Sequence, residues 1–93
     1  MEKSVLVPVA DGSEELETVA IVDVLRRAGA KVTLAAVKEP TITGSKGVKL
    51  IADGRLAEYV HEVFDLIALP GGMPGAEHLR NSPQLIAMLT DQA

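Results

Sequence analysis

The chain has no cysteine and no tryptophan, and only one Tyr and one Phe in 93 residues. Without cysteine, a disulfide scaffold, a thiolate metal site and a thiol nucleophile within the chain are excluded. With so few aromatics, the 47% of residues that are hydrophobic must build an aliphatic core. Positive charge is also scarce: 9 Lys and Arg stand against 13 Asp and Glu, with no basic cluster, which argues against nucleic-acid binding. No apolar run approaches the ~20 residues of a membrane-spanning helix. Met1-Glu2-Lys3 leads straight into a strand-like run, so a cytoplasmic protein without a signal peptide is expected. The length suits one small domain. Its apolar content nevertheless looks large and two-sided for so short a chain.

What is present alternates between two periods. Ser4 to Val9 (SVLVPV) is a near-continuous apolar run, as in a parallel strand buried on both faces. Asp11-Gly12-Ser13 is turn chemistry, and Asp11 or Ser13 is the expected cap of a helix over Glu14 to Ala28. Glu14 and Glu15 in its first turn, and Arg26 and Arg27 in its last, suit the macrodipole. Gly29 ends it, and Lys31 to Val37 (KVTLAAV) forms the second strand. This βαβ unit makes the two strands parallel. Thr41–Thr43 and Val48–Ile51 fit a short hairpin, and Asp53 to Val60 a helical turn or two. Val63 to Leu69 is a third strand, ending at Pro70-Gly71-Gly72. Gly75 to Arg80 is a short helix, and Ser82-Pro83 restarts another, with Ser82 as its cap. Strands alternating with helices imply a doubly wound α/β sheet, whose ligands sit beyond the carboxyl ends of the strands. The loops Ala10–Glu17 and Pro70–Gly75 lie there.

At about 100° per residue, Glu17 shares a stripe of the first helix with Ile21, Val24 and Ala28. An acid on a sheet-facing stripe near the ligand edge has its neutral, hydrogen-bond-donating form favoured by burial. The alternative is an acid at the helix end that reaches water or a backbone N–H. Val19 and Val22 place apolar residues beside Thr18 and Arg26 on the opposite side, which suits either a dimer contact or packing under a loop.

Gly71 and Gly72 admit two readings as well: a tight βα turn, or backbone N–H groups aimed at an oxyanion or thiolate. A dinucleotide fingerprint does not fit, because Pro70 stands at its first glycine, and no P-loop is present. His61 and His78 have no metal-spaced partner and read as surface residues. No G-x-S-x-G elbow surrounds Ser13 or Ser82.

D-G-S-E-E-L-E-T (Asp11–Thr18), V-D-V-L-R-R-A-G (Val22–Gly29), S-K-G-V-K-L (Ser45–Leu50) and D-L-I-A-L-P-G-G-M-P-G-A (Asp65–Ala76) together resemble the ThiJ/PfpI superfamily. The branch is similar to the YajL-like and parkinsonism-associated deglycases. The resemblance runs along the whole chain with matching spacing. It implies a flavodoxin-like, three-layer α/β sandwich with a mostly parallel sheet, of which residues 1–93 are the N-terminal half of a single domain. It also implies a site of a reactive cysteine, a protonated glutamate against it and N–H groups from a glycine pair. The glutamate falls on Glu17 and the pair on Gly71 and Gly72. The cysteine and its companion histidine fall in the C-terminal half of the family pattern, beyond Ala93.

The activity that the resemblance implies is that of a cysteine-dependent deglycase or glyoxalase-type hydrolase. It would act on small aldehydes or glycated protein and be linked to protection against oxidative stress. This chain would supply the acid and the anion hole, without turnover of its own. A redox-responsive chaperone and an amidotransferase- or peptidase-like relative are the alternatives. No cofactor or metal is implied. The implied partners are the C-terminal half and a second copy docked through the first helix at Val19, Val22 and Arg26.

Overall fold

A computed structural model describes residues 3–91. The chain runs β1 (Ser4–Val9), α1 (Glu15–Arg27), β2 (Lys31–Ala36), β3 (Thr41–Thr43), β4 (Lys49–Ile51) and β5 (Gly54–Arg55). A 3₁₀ turn (Leu56–Tyr59), β6 (Leu66–Ile67), α2 (Gly75–Arg80) and α3 (Pro83–Asp91) come next. β1 and β2 pair in parallel from Ser4↔Lys31 to Val9↔Ala36. The central sheet has the order β5-β2-β1-β6, with all three pairings parallel. β3 and β4 form a separate antiparallel hairpin.

The two-sided apolar run of β1 explains the layering. Successive side chains point to opposite faces. Val5, Val7 and Val9 pack with Val32, Ala36 and Ile42 beneath Ile21, Val22 and Leu25 of α1. Leu6 and Ala10 face the other way, into a second core with Leu56, Phe64, Leu79, Leu85 and Met88. Helices therefore cover both faces of a parallel sheet, the three-layer α/β arrangement that the sequence implies. Pro8 has no N–H to donate, and the β1–β6 ladder stops short of it, at Leu6↔Ile67 and the Ala68 N–H to Leu6 carbonyl bond. No helix among the described residues is long and apolar enough to cross a membrane.

Three sequence expectations are corrected. The cap of α1 is Glu14, whose carboxylate accepts the Leu16 N–H at 2.7 Å, and neither Asp11 nor Ser13. Ser13 is buried and accepts the Ala10 N–H instead. The buried stripe of α1 is also rotated from the expected one. Glu15 and Thr18 are buried and Ile21, Val22 and Leu25 half-buried, while Val24 and Ala28 are exposed. Val22 thus faces the sheet, and Val19 alone of that pair is exposed, at 52%. Both buried polar groups are satisfied: the Thr18 hydroxyl donates to the Glu14 carbonyl, and Glu15 accepts from the hairpin turn. The helical turn expected within Asp53 to Val60 is the 3₁₀ turn at Leu56–Tyr59, preceded by the two-residue β5. The third strand shrinks to Leu66–Ile67, with Val63 83% exposed before it.

Candidate active site

In this sheet the chain moves from β1 to β2 on one side and returns to place β6 on the other. The loops after β1 and β6 therefore leave the carboxyl edge in opposite directions and open a crevice, the usual ligand position of a doubly wound sheet. The Ala10–Glu14 turn with the start of α1 forms one wall, and Pro70–Gly75 the other. The two are joined directly. The Glu14 N–H donates to the Gly71 carbonyl at 2.8 Å, and the Gly71 N–H donates to Glu17 Oε1 at 3.0 Å.

The acidic run at the start of α1 divides into three roles. Glu14 caps the helix. Glu15 is 8% exposed, and its carboxylate accepts from the Lys46 N–H at 2.9 Å, the Val48 N–H at 3.0 Å and the Ser45 hydroxyl at 3.2 Å. The Val48 N–H is the main cause holding its carboxyl below the ordinary range; burial opposes it, and Lys46 and Ser45 assist. Glu17 is exposed and turned to the crevice wall at Gly71. Sequence reasoning pairs Glu17 with the glycine loop through the family motif, but treats Glu15 as an ordinary first-turn acid. The turn signal at Gly44-Ser45-Lys46-Gly47 is the available hint to Glu15, because a turn leaves backbone N–H groups in need of an acceptor.

Gly72 has φ +100°, and a Cβ there would stand 2.5 Å from the Glu14 nitrogen and 2.7 Å from the Gly12 carbonyl oxygen. Only glycine allows the two walls to approach so closely. Among the described residues the Gly72 N–H has no hydrogen-bond acceptor, whereas that of Gly71 is taken by Glu17. Glu17 Oε2 is also without a partner among them. The crevice thus presents a fixed carboxyl group with one free oxygen and, one residue beyond its anchor, a free backbone donor. That pair suits an acid beside an oxyanion or a thiolate.

The remaining residues singled out from sequence lie elsewhere. His78 is exposed, with Nδ1 donating to the Asp11 carbonyl at 3.0 Å. Arg26 bonds the Val32 carbonyl at 3.0 Å and Asp53 at 3.4 Å, and Arg27 pairs with Asp23. Ser82 caps α3 through the Leu85 N–H. Among the described residues no three His, Asp or Glu side chains converge as a metal site requires. A cavity of about 410 Å³ lies apart from Glu17, between the chain after β2 and the α2–α3 junction.

The sequence pattern of the DJ-1/PfpI family matches residues 3–93. Protein DJ-1 homolog A of Arabidopsis thaliana is 47% identical over 91 residues, 97% of this chain and 23% of that protein. The Glutathione-independent glyoxalase DJR-1.2 of Caenorhabditis elegans is 33% identical over 88 residues, 95% of this chain and 46% of the relative. The solved structure of oxidized Toxoplasma gondii DJ-1 superposes with a TM-score of 0.94 at 50% identity, over 96% of this chain and 49% of that one. The chain thus spans about a quarter of the plant relative and about half of the other two.

Proposed function

This chain belongs to the DJ-1/PfpI family, and we propose that it forms the acid-bearing half of a cysteine-dependent deglycase or glyoxalase-type hydrolase. The complete domain of this reading joins the chain to a C-terminal half that carries the nucleophilic cysteine and its companion histidine. The observation that supports it best is the Gly71 N–H to Glu17 Oε1 bond across the strand-edge crevice. The relative named as a glyoxalase supports the substrate class.

In the complete domain, Gly71 fixes one oxygen of Glu17, and the other carries a proton and donates it as a hydrogen bond to the cysteine sulfur. That bond favours thiolate over thiol. The thiolate adds to the aldehyde carbon of a glyoxal or a glyoxal adduct. A C–S bond forms, and the carbonyl π electrons move to oxygen. The free Gly72 N–H, with Gly71 beside it, stabilises that oxyanion as it develops. Protonation gives the hemithioacetal. Its C1 proton then moves through an enediol to C2, so that the neighbouring ketone is reduced to an alcohol as C1 becomes a thioester. Water cleaves the C–S bond, releasing the hydroxy acid and restoring the thiol. The exposed Val19, with Arg26 on the same helix, forms part of a homodimer contact in this reading.

Methylglyoxal turnover by the complete protein tests the proposal. Wild type is expected to turn over, and Glu17→Gln to lose about 100-fold or more in kcat, the usual scale for a positioned acid. A wild-type protein without turnover would favour the chaperone reading, and a fully active Glu17→Gln would remove the acid role.

A further inference from the structure

The first turn of α1 is held from two sides. On one side Glu17 meets Gly71. On the other, Glu15 is plugged into the turn between β3 and β4, where Oε2 takes both the Lys46 and Val48 N–H groups and Oε1 the Ser45 hydroxyl. The fit is close, since a Cβ on Gly44 would collide with the Glu15 side chain. The hairpin is further stitched to the β1 loop: Gly12 N–H donates to the Thr43 carbonyl, Thr43 N–H to Asp11 Oδ1, and Ser45 N–H to the Ser13 carbonyl, at 2.8, 3.0 and 3.0 Å. None of the hydrogen bonds to the hairpin reaches Gly71 itself.

We propose that Glu15 is a positioning residue for Glu17, acting through the hairpin turn it anchors. Two residues along an α-helix are about 200° apart, so a rigid first turn converts the seat of Glu15 into the direction of Glu17. Three donors converge on its two oxygens, and truncation to Ala leaves both backbone N–H groups without their acceptor. The chemical meaning of this role rests on the proposed function, but the coupling itself does not.

Amide hydrogen exchange on the complete protein reads the coupling directly. In Glu15→Ala, exchange at Lys46 and Val48 is expected to accelerate at least about tenfold because their acceptor is gone. Gly71 is expected to accelerate as well, because Glu17 no longer holds its place, while Leu6 and Val7 in the central strand stay unchanged. Acceleration confined to Lys46 and Val48 would overturn the proposal and leave Glu15 a local anchor of the hairpin. Acceleration of Gly71 only in step with Leu6 and Val7 would also overturn it, as general loosening. If Glu15→Ala does not fold, Gly44→Ala displaces the same carboxylate from the opposite side and is read by the same amides and the same criteria. A parallel measurement on Glu17→Ala, which removes the acceptor of the Gly71 N–H, separates the two proposals. Loss of Gly71 protection in both variants with unchanged methylglyoxal turnover would keep the coupling and reject the catalytic reading.

Discussion

Gly71 donates its N–H to Glu17 Oε1 at 3.0 Å although 54 residues separate them in the chain. A Cβ on Gly71 would stand 3.1 Å from Oε1 and 3.3 Å from Oε2 of the same carboxyl. Glycine therefore both supplies the donor and leaves the acid its room. Gly71→Ala is expected to push the carboxyl aside and to reduce kcat/KM of the complete protein by about 100-fold, the scale of a ~1 Å misplacement. A steady-state assay with methylglyoxal, beside a urea titration that stays near wild type, checks it.

Gly72 carries a different kind of constraint. Its φ of +100° and the nearness of the Glu14 nitrogen leave no place for a side chain. Gly72→Ala is expected to destabilise the fold by about 1–3 kcal/mol, the cost of backbone strain plus a steric shift. The midpoint of urea unfolding would show it.

How much of this is legible in the sequence depends on the kind of interaction. β1, β2, the hairpin strands and the start of α3 are read from apolar runs, turn residues and the Ser82-Pro83 pair. The buried face of α1 is not. Periodicity counts Val24 and Ala28 as core and Glu15 and Thr18 as surface. The structure does the reverse, because both polar groups find hydrogen-bond partners that hydropathy cannot register. The stripe that marks Glu17 is not the buried one, and only the family motif matches this residue to the acid. Its contact with Gly71 depends on β6 returning beside β1, which no local pattern specifies. Just before β6, the Asp65 side chain accepts the Ser4 N–H at 2.7 Å.

Acid should weaken the fold through two carboxyls. Glu15 is held below its ordinary pKa mainly by the Val48 N–H, and Asp65 mainly by the Ser4 N–H, with Lys3 assisting. A depressed carboxyl contributes stability that is complete above its unfolded pKa and is lost as pH falls through the folded one. Urea midpoints are therefore expected to be level above about pH 5 and to fall progressively below about pH 4. Asp65→Asn should flatten part of that acid limb, and an unchanged limb would count against the assignment.

The chain by itself contains no cysteine. Residues 1–93 are expected to consume methylglyoxal no faster than their Lys and N-terminal amines allow. Loss measured against an amine-matched control peptide checks this, and saturable turnover would place the nucleophile inside the chain.

The role of Glu17 as a hydrogen-bond donor to sulfur is tested most directly by the pH dependence of cysteine alkylation in the complete protein. Glu17→Gln is expected to raise the midpoint of that profile by about one unit or more, since a hydrogen bond to the charged form is what depresses a thiol pKa. A midpoint that stays at the wild-type value would contradict the assignment of Glu17 as the acid of the site.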